Sequence, residues 1–261
     1  MRVTPEEVEL LLAEGMKLAP SLGTTRILRA YAGVRPLVAS DDDPIGRSIS
    51  RGIVTLDHEK RDGLAGFITI TGGKMMTYRL MAEEVTNLAC EKLGVATQCT
   101  TATTPLPGSE TTTQPETKKY SFSQKAAQGR HGTLNANVEQ GDVTNDALVC
   151  ECEGVSVGEV RYAVTKLHVH NLINLRRRTR VGMGTCQGEL CACRAAGVMC
   201  EDDAQKSIND LAGFMNERWK GMQPVAWGDN LAEAQLTAKI YQGFLGVDRL
   251  ANQRRVEYYE I

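Results

Sequence analysis

The sequence predicts an α+β chain, with a first part of mixed strands and helices, then a small helical cysteine-rich domain and a helical tail. Three observations carry this. β-branched, alternating runs separated by turn signals fill the first hundred residues, amphipathic helical periods lie on both sides of them, and six cysteines crowd between Cys150 and Cys200. At 261 residues the chain is long enough for a sizeable core. Thirty Lys and Arg against 32 Asp and Glu leave a formal charge of −2, which argues against a nucleic-acid partner. With 42% hydrophobic and 24% charged residues and no apolar run of spanning length, the composition is that of a globular protein.

Thr4-Pro5-Glu6-Glu7 combines an N-cap, a proline at the first helical position and a Glu three residues after the cap, so a helix starts there. Val8, Leu11, Leu12 and Met16 continue it, and Pro20 with Gly23 closes it. Strands are predicted over 27–38, 49–56 and 66–71, with turns at Ser40 to Pro44 and Lys60 to Gly63. From Met75 to Leu93 the stripe Tyr78, Met81, Val85, Leu88 and Ala89 predicts an amphipathic helix that stops at Gly94.

Eight of the eighteen residues from Thr100 to Thr117 are Thr, with three prolines among them, a linker composition. This divides the chain into 1–98, a linker over 99–146 interrupted by a helical patch at Ser121 to Gly129, a cysteine-rich domain over 147–200 and a tail over 201–261. Ser156-Val157-Gly158-Glu159 is a second capping-box pattern and starts a helix through Lys166. The tail forms two helices around a break at Pro224 to Gly228.

Glu6, Glu7 and Glu9 follow Arg2, and the apolar stretch Leu10 to Ala13 is too short for a secretory signal, so the expected compartment is the cytoplasm. Thiols stay reduced there, and clustered cysteines then suggest metal before disulfide. Cys150-x-Cys152, 33 intervening residues and Cys186-x4-Cys191 make two pairs, which suit a zinc ion or an iron–sulfur cluster. A one-residue gap is tight for two thiolates on one tetrahedral ion, whereas two irons relax that constraint. Gly182, Gly184 and Gly188 let backbone N–H groups approach the sulfurs, and Arg176, Arg177, Arg178 and Arg180 offer positive charge to an anionic centre.

This spacing, with Gly182-Met183-Gly184-Thr185-Cys186-Gln187-Gly188 around the third cysteine, resembles the [2Fe-2S] domain of the bacterioferritin-associated ferredoxin type. The resemblance implies Cys150, Cys152, Cys186 and Cys191 as ligands. Its last gap is wider than in the small ferredoxins of that type, and Cys193 and Cys200 fall outside the pattern.

In the first part, Thr71-Gly72-Gly73-Lys74 ends a strand and opens a helix, where N–H groups and the helix dipole favour an anion. A tight ligand-free connection explains two glycines equally well. Tyr31-Ala32-Gly33-Val34-Arg35-Pro36-Leu37 and Ser48-Ile49-Ser50-Arg51 each bring an arginine able to grip a phosphate or carboxylate. Together with Thr71 to Glu83 and Glu217 to Pro224, these segments resemble the C-terminal part of the FAD-dependent glycerol-3-phosphate dehydrogenases, and the joined cluster domain narrows the resemblance to the catalytic A subunits of the anaerobic, quinone-linked enzymes. It implies that residues 1–98 are part of a flavin-oxidoreductase domain. It further implies that Arg35, Arg51 and Lys74 contact glycerol 3-phosphate and that Gly72, Gly73, Lys74 and Met75 face FAD.

The Gly-x-Gly-x-x-Gly turn that holds the ADP half of FAD is absent, so the expectation is a C-terminal half that turns over little by itself, with no general base assigned. The function so implied is oxidation of sn-glycerol 3-phosphate to dihydroxyacetone phosphate. Electrons would pass through FAD and the cluster to a quinone by way of partner subunits at the inner face of the membrane. The alternatives are an iron–sulfur electron-transfer or docking module without catalysis, an FAD oxidoreductase of an amine or hydroxy acid, and a zinc-clipped structural protein.

Overall fold

A computed structural model describes residues 2–34, 52–109, 120–138 and 143–247. In chain order the elements are α1 (Pro5–Met16), a 3-10 turn (Pro20–Thr24), β1 (Ile53–Asp57), α2 (His58–Asp62), β2 (Ile68–Gly72), a 3-10 turn (Met75–Thr77) and α3 (Tyr78–Leu93). There follow α4 (Phe122–His131), β3 (Leu148–Cys150), β4 (Val155–Ser156), α5 (Val157–Lys166), α6 (Leu172–Thr179), α7 (Ala192–Met199), α8 (Ala204–Met222), α9 (Gly228–Ala238) and a π-helical turn (Lys239–Phe244), with 3-10 turns at Gly132–Asn137, Val143–Asp146 and Gln223–Val225.

Two compact units result, one of residues Gly33–Leu106 and one that joins Met1–Ala32 to Pro107–Ile261. In the smaller unit β1 and β2 pair antiparallel from Ile53↔Gly72 to Asp57↔Ile68. The expected turn at Lys60 to Gly63 is instead the end of the short helix α2, because Asp57 caps its start and Gly63 closes it at φ +72°. The α3 helix stops where expected, at Gly94, whose φ of +70° lets its N–H reach back to the last carbonyls. None of the described residues of this unit is buried: both strands are half-buried throughout and α3 buries no side chain. Among the described residues, two strands, a one-turn helix and α3 enclose too little to make a core.

The larger unit starts as its capping box dictates, with Thr4 accepting from the Glu7 N–H and Glu7 accepting from the Thr4 N–H. Residues 27–34 do not form the expected strand, and 35–38 lie outside the described residues. This segment hydrogen-bonds to helices instead. The Ala30 N–H donates to Gly221 O (2.8 Å) and Ile27 O accepts from the Asn230 side-chain amide, so these backbone groups find partners without a neighbouring strand.

The core sits where β3, α5, α6, α7 and α8 meet. Val160, Ala163, Leu172, Leu175, Ala195, Ala196, Leu211 and Phe214 are buried there, and burial of each leucine contributes roughly 1.5–3 kcal/mol. On α8 the buried face runs Leu211, Phe214, Arg218, Met222, a helical spacing with one cation in an apolar row. The predicted helical patch after the linker is α4, which Ser121 caps through the Gln124 N–H.

A carboxylate lies fully buried in this unit. Glu159 is 0% exposed, and although Ser156 accepts from its N–H, its carboxylate does not complete the capping box. Both oxygens are taken by α4: Arg130 pairs through Nε (2.7 Å) and Nη2 (2.6 Å), and His131 Nε2 lies 2.8 Å from Oε1. A buried carboxylate with three such contacts is satisfied, but removing it strands a cation in the interior. Glu159→Ala is therefore expected to lower unfolding free energy by roughly 3–5 kcal/mol, read from the urea midpoint of the chain.

Candidate metal centre

Two loops supply the clustered thiols. The first is the hairpin between β3 and β4, which pairs Leu148 with Ser156 and Cys150 with Val155 and turns through Glu151, Cys152, Glu153 and Gly154. The second runs from the end of α6, where Arg180 takes the left-handed conformation at φ +66°, through Cys186 to Cys191 at the N-cap of α7. Cys150 (1% exposed) and Cys191 (2% exposed) point into the core, Cys186 is half-buried and Cys152 is exposed.

The four thiols meet. Cys191 hydrogen-bonds Cys150, Cys150 also touches Cys152, and Cys152 touches Cys186. That contact with Cys191, helped by backbone N–H groups of Gly182 and Glu153, holds Cys150 down to about 5. The same bond and burial push Cys191 up, while burial and the neighbouring sulfur charges put Cys152 at about 11. Cys150 thus carries negative charge, whereas Cys152 and Cys191 keep their protons. Among the described residues no three His, Cys, Asp or Glu donors surround a single point as the ligands of one ion would. The thiols form a chain of contacts instead. Two metal centres joined by sulfide take thiolates as two pairs, so this donor set could hold a two-iron cluster.

Glycines make the approach possible. A Cβ on Gly184 would lie 2.7 Å from both Cβ and Sγ of Cys152, so this backbone lies directly against the sulfur. Gly182 (φ +74°) and Gly188 (φ +91°) both stack on the Phe214 ring, where a Cβ would meet ring atoms at 2.7 and 2.5 Å. Gln187, buried at φ +51°, braces the loop from inside, donating to Met183 O (3.1 Å) and Gly184 O (2.9 Å) and accepting from Arg176 Nη2 (3.2 Å).

Of the arginines expected to serve this centre, Arg176 is buried and holds Gln187. Arg180 pairs with Glu153 (2.7 Å), and Arg177 and Arg178 are exposed. Three further polar residues also hold the loops. Arg130 donates to Glu153 O (2.9 Å) and Gly154 O (3.2 Å), Arg218 donates to Gln187 O (3.2 Å) and Cys186 O (3.4 Å), and the Tyr241 hydroxyl donates to Glu189 O. Burial, with nearby sulfur and carboxylate charge, raises the Tyr241 phenol to about 12, which keeps it a donor. The signal that betrays Arg218 in sequence is its place in the apolar phase of α8. Arg130 and Tyr241 carry none.

In the smaller unit the Gly72-Gly73 turn has reasons of its own. A Cβ on Gly72 would meet Gly52 O at 2.1 Å, and one on Gly73 would meet Met81 Sδ at 2.5 Å. The Gly73 N–H donates to Gly52 O (3.1 Å) and the Lys74 N–H to Thr77 Oγ1 (2.9 Å), so these two N–H groups serve the turn itself. The Lys74 side chain is exposed, and Met75 and Met76 are 91% and 90% exposed. Arg35 and Arg51 lie outside the described residues.

Residues 148–199 match the family model of the BFD-like [2Fe-2S] binding domain. The chain is similar to the A subunits of anaerobic glycerol-3-phosphate dehydrogenases. It is 57% identical to that protein of Escherichia coli K12 over 256 residues and 56% identical to that of Haemophilus influenzae over 255, in each case across 95% of this chain. The A1 subunit of Haloferax volcanii is 35% identical over 251 residues, 93% of this chain. The chain spans a little under half the length of these relatives, 47%, 45% and 42%. No solved structure matches. The resemblance drawn from the cysteine spacing and from the segments at 31–37, 71–83 and 217–224 is borne out. Among the described residues no helix is long and apolar enough to cross a membrane.

Two glycine substitutions separate the loop's needs from ordinary helix propensity. Gly184→Ala is expected to displace Cys152 and cut iron uptake on reconstitution severalfold. Gly197→Ala, in α7 with nothing within 4 Å of the new Cβ, should leave uptake unchanged and raise stability by up to about 1 kcal/mol; iron content and urea midpoints distinguish them.

Proposed function

We propose that this chain is part of a flavin-dependent dehydrogenase that oxidises sn-glycerol 3-phosphate at C2 to dihydroxyacetone phosphate and delivers the electrons to a quinone through partner subunits at the inner face of the membrane. The observation that carries the redox half of this reading is the convergence of four thiols from two separated loops, inside the segment that matches a [2Fe-2S] binding domain. In this reading Cys150, Cys152, Cys186 and Cys191 are the ligands of the cluster. Cys193, exposed on α7, and Cys200, whose sulfur lies 3.2 Å from Lys206 Nζ, are not. Bound there, the cluster supplies one-electron transfer that complements a two-electron flavin donor.

What the chain's own residues do follows from their placement. The Gly182 N–H and the glycine-lined loop meet sulfur charge with fixed dipoles, and the core beneath Cys150 and Cys191 keeps water from that side. The dehydrogenase half rests on similarity to relatives named as A subunits of anaerobic glycerol-3-phosphate dehydrogenase. The thinness of the smaller unit agrees with it: a two-stranded sheet with exposed Leu64, Phe67, Met75, Met76 and Leu80 suits a part of a larger flavin domain whose remainder covers those side chains. On this reading Lys74, exposed on its turn, reaches the substrate phosphate with Arg35 and Arg51, and Gly72, Gly73 and Met75 border the FAD ring.

Anaerobic reconstitution with iron and sulfide tests the first half. Two of each per chain are expected, lost on Cys→Ser substitution at 150, 152, 186 or 191 and kept at 193 and 200; zinc without sulfide overturns the reading. For the second half, Lys74→Ala in the enzyme assembled with its flavin-binding part and partner subunits should raise KM for glycerol 3-phosphate roughly tenfold, the loss of one charge-assisted phosphate contact. An unchanged KM removes Lys74 from the substrate site.

A further inference from the structure

Each cysteine loop is held by an arginine that comes from outside the segment matched at 148–199. Arg130, at the end of α4, grips the carbonyls of Glu153 and Gly154, the two residues after Cys152. Arg218, on α8, grips the carbonyls of Cys186 and Gln187 and also donates to Thr237 Oγ1 (3.3 Å). The two clamps are alike in geometry and opposite in charge balance. Arg130 is neutralised by the bidentate carboxylate of Glu159. Arg218 is 4% exposed and, among the described residues, makes no ion pair; its three hydrogen bonds go to neutral oxygens. Glu189, Glu233 and the Cys186 sulfur act on it only as charges at longer range. A guanidinium keeps its proton under such conditions, so a fixed positive charge lies buried behind the Cys186 loop.

We propose that Arg218 is a positioning residue of the iron–sulfur centre that both fixes the Cys186 loop and raises the centre's reduction potential, whereas the Arg130–Glu159 pair fixes the Cys152 loop without setting the potential. The inference rests on the reading of the four cysteines as cluster ligands. Its physical basis is charge. Four thiolates and two sulfides leave an oxidised two-iron centre anionic, reduction adds one more negative charge, and a buried cation stabilises the reduced form more than the oxidised one. An arginine already cancelled by its own carboxylate has little such effect.

The test is an EPR-monitored redox titration of the full 261-residue chain after anaerobic reconstitution, with iron and sulfide counted in each sample. At the midpoint potential of the unaltered chain, Arg218→Gln is expected to lower the reduced-to-oxidised ratio about tenfold, about 59 mV for a one-electron couple. Arg218→Lys, which keeps the charge, should restore most of that ratio. The double variant R130Q/E159Q, which removes the other clamp without changing net charge, should leave the potential in place while altering the EPR line shape. Iron uptake by R218K where R218Q takes up none also supports the proposal. It is overturned by R218Q with full iron and an unaltered potential, or by an equal shift in R130Q/E159Q. Loss of iron and of the helical circular-dichroism signal in R218Q and R218K alike also overturns it. An unaltered chain that takes up neither iron nor sulfide sinks the cluster reading, and this proposal with it.

Discussion

Sulfur atoms gathered closely enough to share metal repel one another as soon as they ionise, and the larger compact unit is organised around that repulsion. Cys150 lies at the end of a strand and Cys191 at the start of a helix, both with the core behind them, so neither thiol is free to swing into water. What offsets the charge on Cys150 comes first from the Cys191 thiol, and then from the backbone, through a Gly182 N–H shared by both sulfurs. Such donors stay in place only if the loop that carries them is rigid. Gly182 and Gly188 flat against Phe214, and Gln187 bonded to carbonyls of its own turn, provide that rigidity.

A rigid loop of this kind has many carbonyls turned away from any strand or helix, and each needs a donor. Here Arg130, Arg218 and Tyr241 supply them from α4, α8 and the π-helical turn. The working unit is therefore larger than the matched segment, since helices before and after it close the back of both loops. A guanidinium withdrawn from water is costly unless its donors are used: Glu159 lies fully buried against Arg130, while two backbone oxygens and Thr237 Oγ1 accept from Arg218. The smaller unit shows the reverse condition. It has well-capped elements and good strand register but no buried side chain among its described residues, so local signals shape it without a core to hold it.

Local chemistry was legible wherever it acts over a few residues. The caps at Thr4 and Ser156, the stop at Gly94 and the helical period of α3 all follow from neighbours three or four positions apart. Where an alternative partner lay far away in sequence, local pattern misled. Residues 27–34 have strand-like composition, yet their hydrogen bonds go to helices nearly two hundred residues on. The Glu159 carboxylate, placed to complete a capping box, is drawn to α4 instead. The double glycine at 72 and 73 has packing reasons of its own, since Gly52 O and Met81 Sδ come close to these two positions.

By itself the sequence determined the cysteine spacing, the glycines beside it and hence the kind of centre this segment resembles, because those features depend on residue type and short-range separation. Only the tertiary structure decided that Cys191 meets Cys150, that the thiols join in a chain rather than around one point, and that Arg218 stands buried behind the second loop while Arg130 is matched by Glu159. Those facts depend on which helices pack together, and the free energy of that packing is shared among contacts far apart in the chain, where no short pattern records it.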